Sequence, residues 1–459
     1  MRLRILCSLI AVSASGALAH CGTGSSRGTD RASEPSDAGP DAIHAAVDIA
    51  CDPDRGATTI VGDFTRRSID SRASGPGYVA AADVNGDGKK DLVVSSLGTY
   101  ESDGGVVKLS PANVAVYLQG ASLGCWQRAL IVTEADALYF ANEPTIGDVD
   151  GDGDIDVIVP AGFFVCAFDH AVGNCGALAW FENVAGAWKR HDVVPRGSER
   201  FFHRAVHVDF DGDGVKDIVT VGESSAGAKA LLFRGTTTAD RFSTQPIELA
   251  DGLGSFPVVV DVDGDGALDV VGAEYFVSGE SFAWIGRGAG GAWTRHVIDD
   301  TSGRGFMLAT VPNLYGDGVT RFVGANHVNE RDDAAARSGV FVLDPPADRA
   351  SKWKKTMIST GILSRASAAA GFRGAPGVFG AGDIDGDGDV DFAVSGDGDA
   401  RIFWLEQTAP GTFATHTIDE SLGQAGGALV VDIDGDGRNE IVFTGYEDGA
   451  VRLYSVARR

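Results

Sequence analysis

The sequence predicts an all-β fold, namely a seven-bladed β-propeller of four-stranded blades, closed by an N-terminal strand that completes the last blade. Three observations predict it: a recurring acidic loop, a recurring pair of an aromatic residue and Ile or Val, and an extra copy of that pair near the N-terminus. Self-similarity at a near-constant period is typical of solenoids and propellers, because each repeat is one unit that packs on its neighbours. Since the two signatures alternate along the chain, one repeat contains one of each.

The acidic loop has the pattern Asp-x-Asp/Asn-x-Asp-Gly-x-x-Asp/Glu and occurs six times intact. Oxygen-bearing side chains recur at positions 1, 3, 5 and 9, and Gly at position 6 lets the backbone turn. Such a set of oxygen donors suits calcium, whereas transition metals favour His or Cys. The sequence therefore predicts up to six calcium ions. The predicted ligands are Asp83, Asn85, Asp87 and Asp91; Asp148, Asp150, Asp152 and Asp156; Asp209, Asp211, Asp213 and Asp217; Asp261, Asp263, Asp265 and Asp269; Asp383, Asp385, Asp387 and Asp391; and Asp432, Asp434, Asp436 and Glu440.

A seventh copy of the loop, at 313–321, has lost most of its carboxylates, and Tyr315 and Arg321 stand where ligands are expected. We expect this copy to keep only its turn. The intact loops match the first half of an EF-hand, but that motif ends in Glu at its twelfth position and lies between helices. Here a β-branched run follows each loop, for example Ile218–Val221, which is typical of a strand. Each loop is thus predicted to join two strands of a hairpin.

The second signature is an aromatic residue followed five positions later by Ile or Val, and it marks another strand of each repeat. The pairs are Trp126/Ile131, Trp188/Val193, Phe242/Ile247, Trp293/Ile298, Trp353/Ile358 and Phe413/Ile418. A hydrophobic run between the loop and this signature predicts one further strand. One repeat therefore consists of four strands, which is the size of a propeller blade.

The last repeat ends without its own signature pair, whereas Phe64 and Ile69 form such a pair ahead of the first loop. We expect this N-terminal segment to supply the fourth strand of the seventh blade. Closing the ring in this way leaves no blade with an unpaired edge, which protects against edge-to-edge association. The predicted domains are a signal peptide at 1–20, a flexible linker at 21–56 and the propeller at 57–459.

In its loop motif the chain resembles the FG-GAP/VCBS repeat family over residues 58–459. This resemblance implies a calcium-binding propeller similar to the integrin α-subunit head. The Phe-Gly before and Gly-Ala-Pro after the loop, which name one branch of the family, are missing in this order, because Gly374-Ala375-Pro376 precedes its loop. The chain is therefore more similar to the VCBS branch.

The formal net charge is −26, and the six intact loops hold 25 of the 64 acidic residues. Nucleic-acid binding needs clustered Lys and Arg, so this charge argues against a nucleic-acid partner. Bound calcium would neutralise part of the charge that the loops concentrate.

The N-terminus begins with charged residues, continues with an apolar stretch and ends in small residues up to Ala19, as a secretory signal does. The sequence leaves two outcomes open. Cleavage after Ala19 would release a secreted protein. The segment Leu18-Ala-His-Cys21 also resembles a bacterial lipobox, in which Cys21 would carry a lipid and tether the protein to the outer surface or periplasm. A membrane contact is expected only through that lipid.

Four cysteines remain after Cys7 and Cys21 are set aside, an even number that suits disulfides in an oxidising compartment. We expect Cys166 to pair with Cys175 and Cys51 with Cys125, while free buried cysteines remain the alternative. The polar tract after Cys21 is too poor in apolar residues to pack and is expected to act as a tether.

The large insertions fall on the face of the ring opposite the acidic loops, at 98–112, 160–177, 326–338 and 361–376. Functional residues of repeat folds concentrate on the face that collects insertions. We therefore expect structural calcium, and recognition of a protein or glycan across the ring by a monomer. The candidate ligand-binding residues are Glu143, His203, Arg204, Glu274, Tyr275, Arg304 and Arg373.

Two other functions remain open at this stage. A carbohydrate-active enzyme of the lyase or dehydratase type would need several of these polar groups to converge at the mouth of the propeller. A scaffold module, as in the integrin head, would instead bind another subunit. No catalytic residues are predicted.

Overall fold

The computed structural model describes residues 58–103, 106–169, 171–275, 281–288, 291–327, 338–362, 375–397 and 399–457. The predicted signal peptide and the whole of the predicted linker lie outside these residues. Within them, strands form seven blades and one small hairpin, and no helix has the length and apolar character needed to cross a membrane. The predicted all-β, seven-bladed propeller is confirmed.

Each blade is an antiparallel sheet whose four strands are described here from the axis outward. The first strands of blades one to seven are β3 (Pro76–Ala82), β9 (Thr145–Gly147), β13 (Phe201–Val208), β17 (Val258–Val260), β21 (Gly305–Val311), β25 (Ala375–Gly382) and β29 (Ala425–Val431). The second strands are β4 (Asp91–Ser96), β10 (Asp156–Ala161), β14 (Asp217–Ser224), β18 (Asp269–Ala273), β22 (Arg321–Asn326), β26 (Asp391–Asp397) and β30 (Glu440–Gly445).

The third strands are β7 (Asn113–Gln119), β11 (Gly176–Val184), β15 (Gly227–Phe233), β19 (Phe282–Arg287), β23 (Val340–Asp344), β27 (Ile402–Ala409) and β31 (Ala450–Val456). The fourth strands are β8 (Trp126–Val132), β12 (Ala187–Ser198), β16 (Ile247–Asp251), β20 (Trp293–Asp299), β24 (Lys354–Met357), β28 (Thr412–Asp419) and, in blade seven, β2 (Phe64–Asp70). In blade three the signature residue Phe242 precedes its strand and makes only an isolated bridge to Gly235.

The N-terminal closure is confirmed, since β2 pairs with β31 in blade seven. A feature that the sequence did not reveal is a fifth strand, β1 (Thr59–Val61), which pairs with the outer side of β2. It arises because a two-residue turn with Gly first, Gly62-Asp63, joins them, and such turns favour tight hairpins. Blade seven therefore has five strands rather than four.

The hydrophobic core is divided among the blade interfaces. Seven clusters of buried residues lie in the described part of the chain, one between each pair of neighbouring blades. The four largest fully buried side chains, Trp180, Trp284, Tyr117 and Tyr454, come from third strands. An eighth cluster lies under the insertion of blade two.

Two insertions carry structure of their own. The insertion of blade one contains a hairpin of β5 (Tyr100–Asp103) and β6 (Val106–Leu109). The insertion of blade two contains a 3₁₀ turn (Phe164–Phe168) and the Cys166–Cys175 disulfide, with the Cα atoms 5.9 Å apart, so that predicted pair is confirmed. A second 3₁₀ turn (Glu134–Asp136) follows β8. Cys125 is disulfide-bonded, and its expected partner, Cys51, lies outside the described residues.

Candidate functional site

The acidic loops join the first and second strands of their blades. In all six intact loops the Gly at position 6 donates to the first Asp, and the residue at position 2 donates to the ninth-position carboxylate. The loop at 261–269 illustrates this. The two carboxylate oxygens of Asp261 accept the backbone N–H groups of Gly264 at 2.7 Å and Gly266 at 3.0 Å. The carboxylate of Asp269, which begins β18 and is buried, accepts the N–H of Val262 at 2.8 Å. The loop backbone thus orients its own carboxylates toward the space that they enclose.

In five of the loops the structure brings carboxylate oxygens within 4.8 Å of one another, close enough to hold a metal ion. The groups are Asp148, Asp150 and Asp156; Asp209, Asp211 and Asp217; Asp261, Asp263 and Asp265; Asp383, Asp385 and Asp391; and Asp432, Asp434 and Glu440. In the loop at 83–91 Asp83 accepts the N–H groups of Asp87 at 3.0 Å and Gly88 at 2.8 Å, and Asn85 has an amide in place of one carboxylate. Several of these clusters could therefore hold a cation, and every donor is an oxygen.

The electrostatics of the loops also fit a cation. Burial, together with the nearby carboxylates, raises the pKa of Asp269 and of Glu440 to about 7. The same causes raise the pKa of Asp156 to about 6. In the loop at 432–440 the Oδ1 atom of Asp432 is buried and has no hydrogen-bond partner among the described residues. A bound cation would relieve the repulsion among these carboxylates and give that oxygen a partner.

Side-chain amides connect neighbouring loops around the ring. Gln119, at the end of β7, donates from Nε2 to the carbonyl of Ile433 in the preceding blade at 2.8 Å. Asn183 makes the corresponding bond to Val84 at 3.2 Å, and Gln407 to Leu314 at 3.0 Å. The backbone N–H groups of Gln119, Asn183 and Gln407 donate to the ninth-position carboxylate of their own loops. The loops are therefore linked to one another and to the third strands.

The decayed loop at 313–321 pairs its remaining carboxylate with a guanidinium. Arg321 donates two hydrogen bonds to Asp317, at 2.8 and 2.6 Å, and one to Asp344 at 2.6 Å. Its guanidinium carbon lies 4.1 Å from the ring centroid of Tyr315. The turn survives, because Gly318 still donates to the side chain of Asn313 at 2.6 Å. The expectation that this copy keeps its turn is confirmed.

A recess of about 110 Å³ opens on the axis at the opposite end of the first strands, away from the acidic loops. Every blade contributes to its wall. In six blades the residue six positions before the acidic loop lines it; these residues are Gly77, Asn142, His203, Ser255, Gly377 and Gly426. Blade five contributes Phe306, seven positions before its loop. The recess thus lies on the face that carries the insertions.

The wall of this axial recess is rich in aromatic residues, with Tyr78, Phe140, Phe163, Tyr275 and Phe306 among the residues that line it. The aromatic rings contact one another, for example Tyr275 and Phe306 with centroids 5.8 Å apart. Ring contacts continue behind the wall, where Phe306 stacks on His327 at 3.9 Å. The result is an apolar site in the middle of the ring.

Of the candidate ligand-binding residues, His203 and Tyr275 line the recess. Arg204 forms a bidentate pair with Glu143 at 2.8 and 3.0 Å and reaches from blade three to the carbonyl of Leu308 in blade five at 3.2 Å. These two residues therefore bridge several blades and hold their positions by pairing with each other.

The remaining described candidates are not among the residues that line the recess. Glu274 is fully buried and binds Arg295 at 2.7 Å. Arg304 stacks on the ring of Tyr275 at 5.8 Å, and Arg373 lies outside the described residues. Glu143 with Arg204 and Glu274 with Arg295 thus form ion pairs, whereas His203 and Tyr275 share the recess wall and Arg304 contacts Tyr275.

A strained loop shapes one side of the recess. Leu253 and Ser255 have φ angles of 59° and 61°, a left-handed conformation that costs non-glycine residues about 1 to 3 kcal/mol each. Two buried carboxylates stabilise it: Glu274 accepts the N–H of Leu253 at 2.7 Å, and Glu223 accepts that of Ser255 at 2.6 Å. Glu223 also contacts Nδ1 of His203 at 3.2 Å. The loop is therefore held in place before any ligand arrives.

Sequence reasoning missed most of the wall, including Tyr78, Phe140, Phe163, Ser255 and Phe306, as well as Glu223 behind it. A signal for part of it was present, since the position six residues before each loop keeps a constant register in six blades. Those residues share no chemical type, so a search for titratable groups passes over them.

The FG-GAP-like repeat family matches residues 209–272 and 383–443, which contain the acidic loops of blades three, four, six and seven. No relative is found among curated proteins. Among solved structures, a chain from the crystal structure of BBS1N in complex with ARL6DN, soaked with lead, has 10% identity and a TM-score of 0.50, with 87% of this chain and 98% of that chain covered. At this identity the similarity shows the fold alone.

Two further structures are less similar. The Dos1 propeller has 12% identity and a TM-score of 0.45, with 86% of this chain and 96% of that chain covered. A thermostable family-43 glycoside hydrolase has 12% identity and a TM-score of 0.37, with 65% of this chain and 99% of that chain covered. Neither of these two similarities says anything about the function of this chain. The repeat match and the ring of seven blades together identify the chain as a β-propeller with FG-GAP-like repeats.

Proposed function

We propose that this protein is an exported, calcium-stabilised propeller that binds a protein partner on the face of the axial recess. The observation that carries the proposal is the division of the ring into two ends. Acidic loops that could hold cations occupy one end, and an open aromatic recess occupies the other. Calcium is then structural, and recognition takes place away from it.

Calcium is the cation that the donor set favours. The loops offer carboxylate and amide oxygens, and flexible all-oxygen shells of six to eight ligands suit calcium better than magnesium, which prefers strict octahedral geometry. Asp83, Asn85, Asp87 and Asp91 would hold an ion in the first loop, and the equivalent residues predicted above would do so in the other five. The ion would neutralise repelling carboxylates and fix the hairpin between the first and second strands.

Binding is favoured over catalysis by the arrangement of the polar candidates. An active site needs several groups that converge on a reacting atom. Glu143 and Arg204 instead form a bidentate ion pair with each other, and the buried Glu274 pairs with Arg295. The fold also supports a protein-binding role, since one similar chain comes from a complex of two proteins. Export is supported by the predicted N-terminal signal and by the Cys166–Cys175 disulfide, because disulfides persist in oxidising compartments.

The calcium part is tested by thermal unfolding of metal-free protein with calcium, with magnesium and with a chelator. At free calcium about 10 to 100 times the dissociation constant, each site would add about 1.4 to 2.7 kcal/mol to the free energy of unfolding. We expect a large rise of the melting temperature with calcium and a small one with magnesium. A melting temperature that chelation leaves unchanged would contradict structural calcium.

The binding part is tested with two defined libraries in calcium buffer, a random peptide display library and a glycan array. We expect peptides to be enriched and to compete for one site. Failure to enrich any peptide, together with specific glycan binding, would contradict a protein partner.

A further inference from the structure

The axial recess is matched in size to one small group. Its volume of about 110 Å³ is somewhat smaller than the cavity of about 150 Å³ that holds a benzene molecule in an engineered protein core. An oligosaccharide or an extended peptide cannot enter it as a whole. A branched aliphatic group fits, and a single phenyl ring fits where it uses the open mouth.

Several polar groups on the wall already make hydrogen bonds within the protein. Asn142 donates from Nδ2 to the carbonyls of Gly162 at 3.1 Å and Phe202 at 2.8 Å. Ser395 donates to the carbonyl of Val378 at 3.1 Å, and the hydroxyl of Tyr446 to that of Gly98 at 3.1 Å. A sugar would lose its hydrogen bonds to water and find these donors occupied, which costs free energy for each unpaired hydroxyl. An apolar group incurs no such cost.

The surface beside the recess continues its apolar character. Phe163 lines the recess, and its ring lies 4.5 Å from that of Phe164 in the insertion of blade two. The same insertion exposes Phe168, which is 51% accessible, and the Cys166–Cys175 disulfide lies within it. A group bound in the recess would therefore have a fixed aromatic surface next to it, which a polypeptide can cover and a lone small molecule cannot.

Charge does not favour a charged occupant. The acidic loops at the other end of the ring hold 25 of the 64 acidic residues and 4 of the 38 Lys and Arg, so the rest of the chain has 39 acidic and 34 basic residues, a formal charge of −5. The part of the chain that includes the recess face thus carries only a small part of the net charge of −26. A neutral, apolar contact complements it better than a strongly basic or acidic one.

We propose that the axial recess receives one uncharged apolar side chain, of leucine to phenylalanine size, from the partner polypeptide. The proposal rests on the protein-binding function above and names its anchor. The strained segment at 252–256 supports it, because Glu274 and Glu223 accept the N–H groups of Leu253 and Ser255 and hold this part of the wall in place before binding. Preorganisation of this kind strengthens binding, since less order has to be created on association.

The test uses ligand-observed NMR with N-acetyl amides of leucine, phenylalanine, alanine and lysine on the calcium-loaded full chain. Leucine and phenylalanine amides are expected to bind saturably, and alanine and lysine amides are not. Val378, half-buried in the wall, is changed to Trp to fill the recess, which should abolish the signal. Val184→Trp is the matched control, because Val184 is 50% exposed at the acidic-loop end and should leave binding intact.

A second variant keeps the test informative if Val378→Trp does not fold. Phe306→Ala enlarges the recess and is expected to admit N-acetyl-tryptophanamide, which the wild type excludes. Absence of saturable leucine or phenylalanine binding to the wild type overturns the proposal, as does equal binding to a folded Val378→Trp variant.

The display peptides separate this proposal from the protein-binding function. Val378→Trp should weaken their binding by at least about 30-fold, the loss expected for a hot-spot side chain. Peptides that bind both proteins equally would overturn the apolar anchor and leave the protein-binding function intact. Amides that bind while no peptide is enriched would overturn the protein-binding function and leave the recess as an apolar site.

Discussion

At the scale of single residues, the ninth position distinguishes the intact acidic loops from the decayed loop of blade five. Where it is a carboxylate, as at Asp269, it accepts the N–H of the second loop residue and faces the other carboxylates. Where it is Arg321, the guanidinium binds Asp317 and Asp344, and these hydrogen bonds raise the pKa of Arg321 above its usual range. Hydrogen bonds from Arg321 also lower the pKa of Asp317 to about 2. Blade five thus carries its own cation.

The change Arg321→Ala should lower the melting temperature, because it leaves Asp344 and Asp317 without their cation. The loss should be the same with calcium and with a chelator, since this loop lacks the full donor set. Thermal unfolding measures it. Lys352→Ala is the control: Lys352 precedes β24 in blade five, is exposed, and pairs with the exposed Asp300, so its loss should have little effect. A calcium-dependent loss at Arg321 would contradict the assignment.

At the scale of secondary-structure elements, β2 and β1 contribute very differently to the closed ring. β2 buries Phe64, Ile69 and Asp70, whereas Ile60 of β1 is 75% exposed. The hydroxyl of Tyr117 in blade one donates a hydrogen bond to the carboxylate of Asp70 at 2.8 Å, so β2 also connects blade seven to blade one. Closure of the ring therefore depends on β2, which makes these contacts.

A chain that starts at residue 63 loses β1 and also Cys51, the expected disulfide partner of Cys125. It should therefore keep nearly the melting temperature of a full chain in which both of these cysteines are replaced by serine. A chain that starts at residue 72 loses β2, exposes the edge of β31 and should unfold at lower temperature or aggregate. Thermal unfolding and size-exclusion chromatography report both effects. Equal stability of the two truncated chains would show that the N-terminal strand does not seal the ring.

The amide bridge of Gln119 should matter because the side chain is buried between two blades. In Gln119→Leu the carbonyl of Ile433 loses its donor, and an unsatisfied buried polar group costs about 1 to 3 kcal/mol. Chemical denaturation should show this loss. Gln245→Leu, at an exposed position, is the control and should leave the free energy of unfolding unchanged.

At the scale of the whole molecule, the acidic loops make the metal-free fold depend on pH. Burial raises the pKa of Asp269 and Glu440 to about 7, and that of Asp156 and Asp391 to about 6. In the unfolded chain these groups titrate near their ordinary values of 3.8 and 4.5, so the folded state holds protons that the unfolded state has released. These groups therefore stabilise the fold fully at low pH, and their contribution is lost as the pH rises from about 4 to 7.

Calcium should reverse this loss, because it stabilises the ionised carboxylates. The rise in melting temperature on calcium addition should be larger at about pH 7.5 than at about pH 5, where protons compete with the ion. Thermal unfolding of dialysed, metal-free protein with and without calcium measures both values. The same rise at both pH values would argue against these loops as the calcium sites.

The sequence by itself determined the loops, the blade count and the closure. Each ligand set, such as Asp261 to Asp269, comes from nine contiguous residues, so its geometry follows from local turns and hydrogen bonds that a short pattern encodes. The blade count follows from the period, and the closure from one displaced copy of the signature at Phe64 and Ile69.

Only the tertiary structure decided what lies on the axis. Arg204 pairs with Glu143, 61 positions away, and Glu223 supports Ser255, 32 positions away. These contacts form because ring closure brings the first strands of all blades together, and residues as unlike as Gly77, His203 and Ser255 then share one wall. A local sequence pattern does not predict these contacts, because they depend on how blades that are distant in the sequence pack around a common axis.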